Sequence, residues 1–261
     1  MSVRLSAIPG LSPLCACFGL LALWEMSAQV VGIAGLPPAH EALRALPAIL
    51  SDPEALINIL HSIRRMSVGF VLALTFAVPV GLAMGRSRIV AAFSNPLLMM
   101  IYPVPKAALM PIIMLWLGIG DAPKTLVIFL GVSLPIIYHA SHGARAVEEK
   151  ILWSAAAMGM SPRWQLLRIV LPAALPETFV GIRTGLVLAL ITMVTSEMIA
   201  RQAGVGNILF NSLDMAQYDA VYATILIIAA LGFGLDLAIE WLRSRLLAWA
   251  EPVYQIAVGS A

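Results

Sequence analysis

An apolar chain shows its chemistry in the few polar residues it keeps. Lys106, Lys124 and Lys150 are the only lysines here, and none follows a glycine. A Walker A phosphate loop needs Gly-Lys, so this chain does not supply that motif. His-Glu-x-x-His and Gly-x-Ser-x-Gly are missing too. His139 and His142 stand three apart at a helix end, which suits a polar interface better than a metal. Cys15 and Cys17 form a C-x-C pair inside an apolar run, where cysteine acts as a packing residue. The reading is no catalytic residue, no metal site and no cofactor bound by this chain.

What remains are charges and prolines inside apolar runs. Charges at membrane depth are costly and functional by default. Arg183 either faces an anionic solute in a translocation path or pairs with a carboxylate on a neighbouring helix. Glu197 lies fourteen positions later, about 21 Å along a helix, so the two cannot pair within it. Glu197 reads as a gate or an interfacial anchor near the outer end of its span. Lys106 sits in "YPVPKAALMP", where Pro103, Pro105 and Pro111 should break or kink a helix. Broken backbone at membrane depth is tolerated where water lines it or protein buries it. Pro105 and Lys106 therefore mark either a path or a bend at a dimer interface.

The elements that position these residues follow from composition. The chain has 261 residues, 61% hydrophobic and 11% charged, against roughly 25% charged in a soluble domain. This is an all-α integral membrane protein by composition, and a net charge of +2 gives no sign of a nucleic-acid partner. Runs long enough to span a bilayer lie at roughly 14–31, 59–84, 93–117, 125–139, 175–199 and 222–241, six in all. The first reads as a retained span, because the weak signal-like pattern after Arg4 runs on into further apolar residues. Residues 1–56 hold that helix and an outer segment, 57–245 the core, and 246–261 a short tail. Arg4, Arg86, Arg88, Arg145, Lys150, Arg163, Arg168, Arg243 and Arg245 fall on the side of the termini. Arg44, Arg64, Arg65, Lys124 and Arg201 fall opposite. Positive residues favour the cytoplasm, so both termini are expected there.

This orientation puts the stretch 143–172 in the cytoplasmic connection between the fourth and fifth spans. Within it, residues 147–157 read as a helix, Gly159 as its left-handed end, Ser161 as the next cap and Pro162 as its first turn. Leu171-Pro172 is expected to close that second helix. Trp153, Ala156, Met160, Trp164 and Leu167 recur at helical spacing. Such a pair either docks a partner or lies on the membrane surface.

The stretch resembles the "EAA" loop of permease subunits of ATP-binding-cassette importers. Ala155, Gly159, Ile169, Leu171 and Pro172 match that motif in spacing, while Trp153 and Ser154 stand where its Glu and first Ala would be. "LWEMSAQVVGI", "LPPAHEALRAL", "YPVPKAALMPIIMLWLGIGDAPK" and "GIRTGLVLALITMVTSEMIA" are similar to counterparts in the nitrate, taurine and aliphatic-sulfonate branch. The resemblance covers essentially the whole chain. It implies a type I permease of six transmembrane helices, in the inner membrane of a bacterium. It also implies a second copy of the chain, cytoplasmic ATPase subunits that hold ATP and magnesium, and an extracytoplasmic solute-binding protein. Ala155, Ala156, Gly159, Met160, Ser161, Pro162, Ile169, Leu171 and Pro172 would then form the coupling loop. A channel or secondary carrier without an ATPase is the competing class.

Overall fold

The computed structural model describes residues 11–250, with residues 11–14 described by their backbone alone. Arg4 and residues 251–261 of the expected tail lie outside the described residues. Every regular element among the described residues is helical. In chain order these are α1 Leu11–Val31, α2 Ala39–Ser51, α3 Pro53–Arg86, α4 Arg88–Ile101, a 3-10 turn Lys106–Leu109, α5 Met110–Leu117 and α6 Asp121–Arg145. There follow α7 Glu149–Ala157, α8 Pro162–Gln165, a π-helical turn Leu166–Val170, α9 Leu171–Ala200, α10 Val205–Asp214 and α11 Tyr218–Leu246.

Four rods are long and apolar enough to cross a bilayer: Pro53–Arg86, Asp121–Arg145, Pro162–Ala200 and Tyr218–Leu246. Arg88–Ile101 with Lys106–Leu117 qualifies as a pair bent by 83°, and Cys15–Val31 is a shorter apolar helix. These stand where six spans are expected. The broken pair replaces the third span, and its break falls at Pro103 and Pro105. Pro111 breaks nothing, because it lies in the first turn of α5, where its missing N–H is not needed. The fourth span outgrows its expected bounds. Its extra first turn carries Asp121 and the buried Lys124, polar residues that are partnered rather than helix-ending.

Leu171-Pro172 does not close a helix. Pro162–Ala200 is one rod of 39 residues. The π-helical turn just before Pro172 lets the Leu171 N–H reach Leu166 O. It widens the ladder at the point where the proline ring would otherwise clash.

The described residues form two compact units. One comprises residues up to 61 together with 203–230. Here the Trp24 indole N–H donates to Pro37 O at 3.0 Å, its ring lies 5.4 Å from Tyr222, and His40 Nδ1 meets Glu25 at 2.7 Å. Asn58 Oδ1 accepts from the Gly204 N–H at 2.7 Å. The other unit comprises 62–202 and the chain from 231. Its most enclosed rod is α6, which packs between α3 and α9. Glycines set the distances. A Cβ on Gly81 would stand 2.6 Å from Ala140 Cβ, one on Gly85 2.5 Å from Ala144 Cβ, and one on Gly143 2.9 Å from Ala174 O. Small residues are what let membrane helices approach this closely. Met66, Ala73, Ile128, Val132, Ala189 and Met193 form the apolar core around them.

A Cβ on Gly181 would meet Pro135 O at 2.9 Å and His139 Cβ at 2.7 Å. Gly181→Val is therefore expected to cost about 1–3 kcal/mol. Thermal unfolding in detergent should show a lowered Tm, and an unchanged Tm would contradict this account of the α6–α9 contact.

Candidate functional site

The helix pair of the α6–α9 connection closes with a complete Schellman turn. The Met160 N–H donates to Ala155 O at 3.0 Å and the Gly159 N–H to Ala156 O at 2.9 Å. Gly159 has φ +85°, a conformation that side chains resist. Ser161 occupies the next cap position, but its side chain makes no cap bond. Its carbonyl accepts from the Gln165 N–H instead. Pro162 opens α8 as expected.

The residues of this connection divide into two jobs. Ile169 and Leu171 pack inward, with Leu152 and Val170, against Leu82, Ala144 and Ala174, and Ala155 is buried too. Trp153, Ala156, Met158, Pro162, Trp164 and Leu167 face outward. Trp153 is 65% exposed and Met158 79%. Arg168 lies 4.5 Å over the Trp164 ring, which fixes that aromatic in place. The geometry is a rigid two-helix platform with an apolar outer face.

The residues singled out inside the spans are scattered. Arg183 makes a two-armed pair with Asp236 of α11, with Nε and Nη2 each 2.7 Å from a carboxylate oxygen. Lys106 Nζ donates to Ile101 O at 2.6 Å and Tyr102 O at 2.9 Å, so it caps the carbonyl end of α4 across the break. Pro105 sits at the N-terminal edge of the 3-10 turn. Two cavities flank this break. One of about 760 Å³ runs between α4 and α6 and carries Asn95, Tyr138, Ser141, His142 and Arg145. The other, of about 360 Å³, is lined by Pro105, Lys106, Leu188 and Thr192. Tyr102, Pro103 and Leu134 line both.

Glu197 is no surface anchor. It is 1% exposed, and Ser62 Oγ donates to both its oxygens, at 2.7 and 2.8 Å. Arg65 Nη1 bonds the same carboxylate, and Arg65 Nε reaches Asp121 Oδ1 at 2.5 Å. Asp121 is not the N-cap of α6. Gly120 takes that position, and the Asp121 carboxylate turns to Arg65 and the exposed Arg64. Lys124, 1% exposed, interacts electrostatically with Arg65, Glu197 and Asp121. The charge pattern places Arg64, Arg65 and Lys124 on the side opposite the termini and does not single out Asp236. The available signal was a carboxylate inside the apolar run 222–241 and adjacent arginines well inside α3.

Since Arg183 and Asp236 are each about one-third exposed, removing one partner leaves the other uncompensated at membrane depth. Arg183→Gln is expected to lower the Tm in detergent, and the double variant Arg183→Gln with Asp236→Asn to regain most of it. A double variant no better than the single would argue that the pair is not the stabilising contact.

Residues 69–248 match the family described as "Binding-protein-dependent transport system inner membrane component". The chain is 32% identical over 237 residues to the taurine transport system permease protein TauC of Escherichia coli (strain K12), covering 88% of this chain and 86% of that one. It is 28% identical over 232 residues to the putative aliphatic sulfonates transport permease protein SsuC of Bacillus subtilis (strain 168), covering 88% of this chain and 84% of that one. A chain of the MetNI methionine ABC transporter in an inward-facing conformation superposes with a TM-score of 0.63 at 14% identity, over 75% of this chain and 99% of that one. That likeness is one of fold. The helical rods, the broken span and the loop platform thus have a common explanation: the chain belongs to the family of inner-membrane components of binding-protein-dependent transport systems, the permease subunits of ATP-binding-cassette importers.

Proposed function

We propose that this permease carries a small organic anion inward, with a sulfonate such as taurine as the leading class. Two relatives are named for taurine and aliphatic sulfonates, which supports the choice. So does the larger cavity, where Arg145 and His142 meet the Tyr138 and Ser141 hydroxyls, a lining that suits an anion with hydrogen-bond acceptors. The break at Tyr102–Lys106 contributes lining residues to both cavities and is the proposed path. Arg183 is proposed as a structural partner of Asp236 rather than a solute ligand.

The observation that carries the mechanism is the exposed apolar platform of Trp153, Met158, Trp164 and Leu167. In water such a face needs a partner. The proposed partner is a cytoplasmic ATPase that holds the ATP and magnesium, with the permease itself non-catalytic. Two copies of the chain would form the translocation unit, fed by an extracytoplasmic solute-binding protein, with both termini cytoplasmic. ATPase closure displaces the platforms, and the bundles alternate their access.

The test is affinity purification of the tagged chain from its native membrane in mild detergent. A near-stoichiometric ATPase is expected. Repeated recovery of the chain alone, from membranes active in uptake, would favour an ATPase-independent carrier. Gly159→Asp gives the local check. A Cβ there meets nothing within 4 Å, so its penalty is conformational, about 1–2 kcal/mol. ATPase recovery and coupled uptake are both expected to fall. Normal values for both would remove the turn from the coupling machinery.

A further inference from the structure

The buried charges at the far ends of α6 and α9 have no role in the loop or the path. Arg65, Lys124 and the exposed Arg64 stand against Asp121 and Glu197, with Arg65, Lys124 and Glu197 all nine-tenths or more buried. Such a cluster is costly to desolvate, and apolar packing would hold three helices together at least as well. Its distinguishing feature is directional. One guanidinium uses Nε on Asp121 and Nη1 on Glu197, and these carboxylates sit on different helices.

Those helices are the two that flank the platform. α6 ends at Arg145 just before it, and α9 begins at Leu171 just after it. With 25 and 30 residues they reach about 37 and 45 Å from it. Asp121 lies in the first turn of α6 and Glu197 in the last turn of α9. Without Arg65, Asp121 would keep Arg64 and Glu197 would keep Ser62, but the one guanidinium that bonds both carboxylates would be gone.

We propose that Arg65 is a positioning residue: it clasps the far ends of α6 and α9 so that a displacement of the platform arrives there as one rigid movement. The inference rests on the platform being the ATPase contact. Ser62 on α3 donates to Glu197 and Lys124 on α6 interacts with both Glu197 and Asp121; Arg65 adds from α3 a direct bond to each carboxylate.

The test uses the whole transporter, ATPase included, in lipid nanodiscs. Cys15 and Cys17 are replaced by serine. Spin labels are placed at Ala122 and Ile199, exposed positions in the first turn of α6 and the last turn of α9. Labelled chain is diluted with unlabelled chain, so that only distances within one copy are read. Distances are measured without nucleotide and after trapping with ATP and vanadate. The parent protein is expected to show the same narrow distance in both states. Arg65→Gln should match it without nucleotide and widen by about 2 Å on trapping, the scale of helix shifts in switching proteins. Arg65→Lys should widen less. The double variant Arg65→Gln with Glu197→Gln removes one charge of each sign and so keeps the parent's net charge without the bridge, and it should widen like Arg65→Gln.

A double variant that behaves like the parent would reduce Arg65 to a counter-charge and overturn the proposal. So would an Arg65→Gln distance that trapping leaves unchanged. If Arg65→Gln assembles poorly, Arg65→Lys and the double variant carry the readout. Failure of an ATPase to co-purify with the parent chain would sink the platform reading and this inference together. A co-purified ATPase with rigid ends in Arg65→Gln sinks this inference alone.

Discussion

The approach of α6 to α3 and α9 governs the rest of this structure. Glycines on all three rods remove the side chains that would hold the backbones apart, and the contact is tight enough that added Cβ atoms would stand within 3 Å of backbone oxygens. That spacing lets short polar groups meet across helices. At one end Arg65 reaches both Asp121 and Glu197. At the other, His139 Nδ1 lies 2.8 Å from Glu177 Oε1. In a low-dielectric interior neither set would persist with loose packing, because charges that are separated but still dry gain little from one another.

The same packing explains how the loop residues work. Ile169 and Leu171 are anchors against α3, α6 and α9, while their neighbours present the outer face. Trp153, where the family pattern has Glu, belongs to that face and not to the anchor. Its replacement of a charge alters what the platform offers a partner and leaves the platform's shape alone.

The helix-rich, membrane-spanning character was legible because apolar runs need only length and composition. The platform's turn was legible because Gly159 and Pro162 carry local backbone rules. The break at Pro103 and Pro105 was visible for the same reason. Pairing was not legible. Asp121 and Lys124 lie at the start of α6, where sequence reasoning treats charge as loop chemistry, and Arg65 lies well inside α3 with no counter-charge beside it in sequence. Only the fold shows that Arg65 joins Asp121 to Glu197, the latter more than 130 positions away from it. Continuity through Leu171-Pro172 was missed because a π-helical turn depends on packing rather than on residue type.

That turn has a consequence for angular phase. A π-helical segment fits one more residue into a helix than the α-helical ladder would, and each residue rotates an α-helix by about 100°. Because Pro162–Ala200 is one uninterrupted rod, no flexible joint lies between the platform and the membrane to absorb a mismatch. The extra residue within Leu166–Val170 sets the azimuth at which Trp164 and Leu167 point relative to Arg183 and Glu197. Chains of this kind are thus free to exchange side chains across the segment but not to gain or lose a single residue in it. One deletion would turn the platform's outward face about a quarter-turn around the axis of the rod.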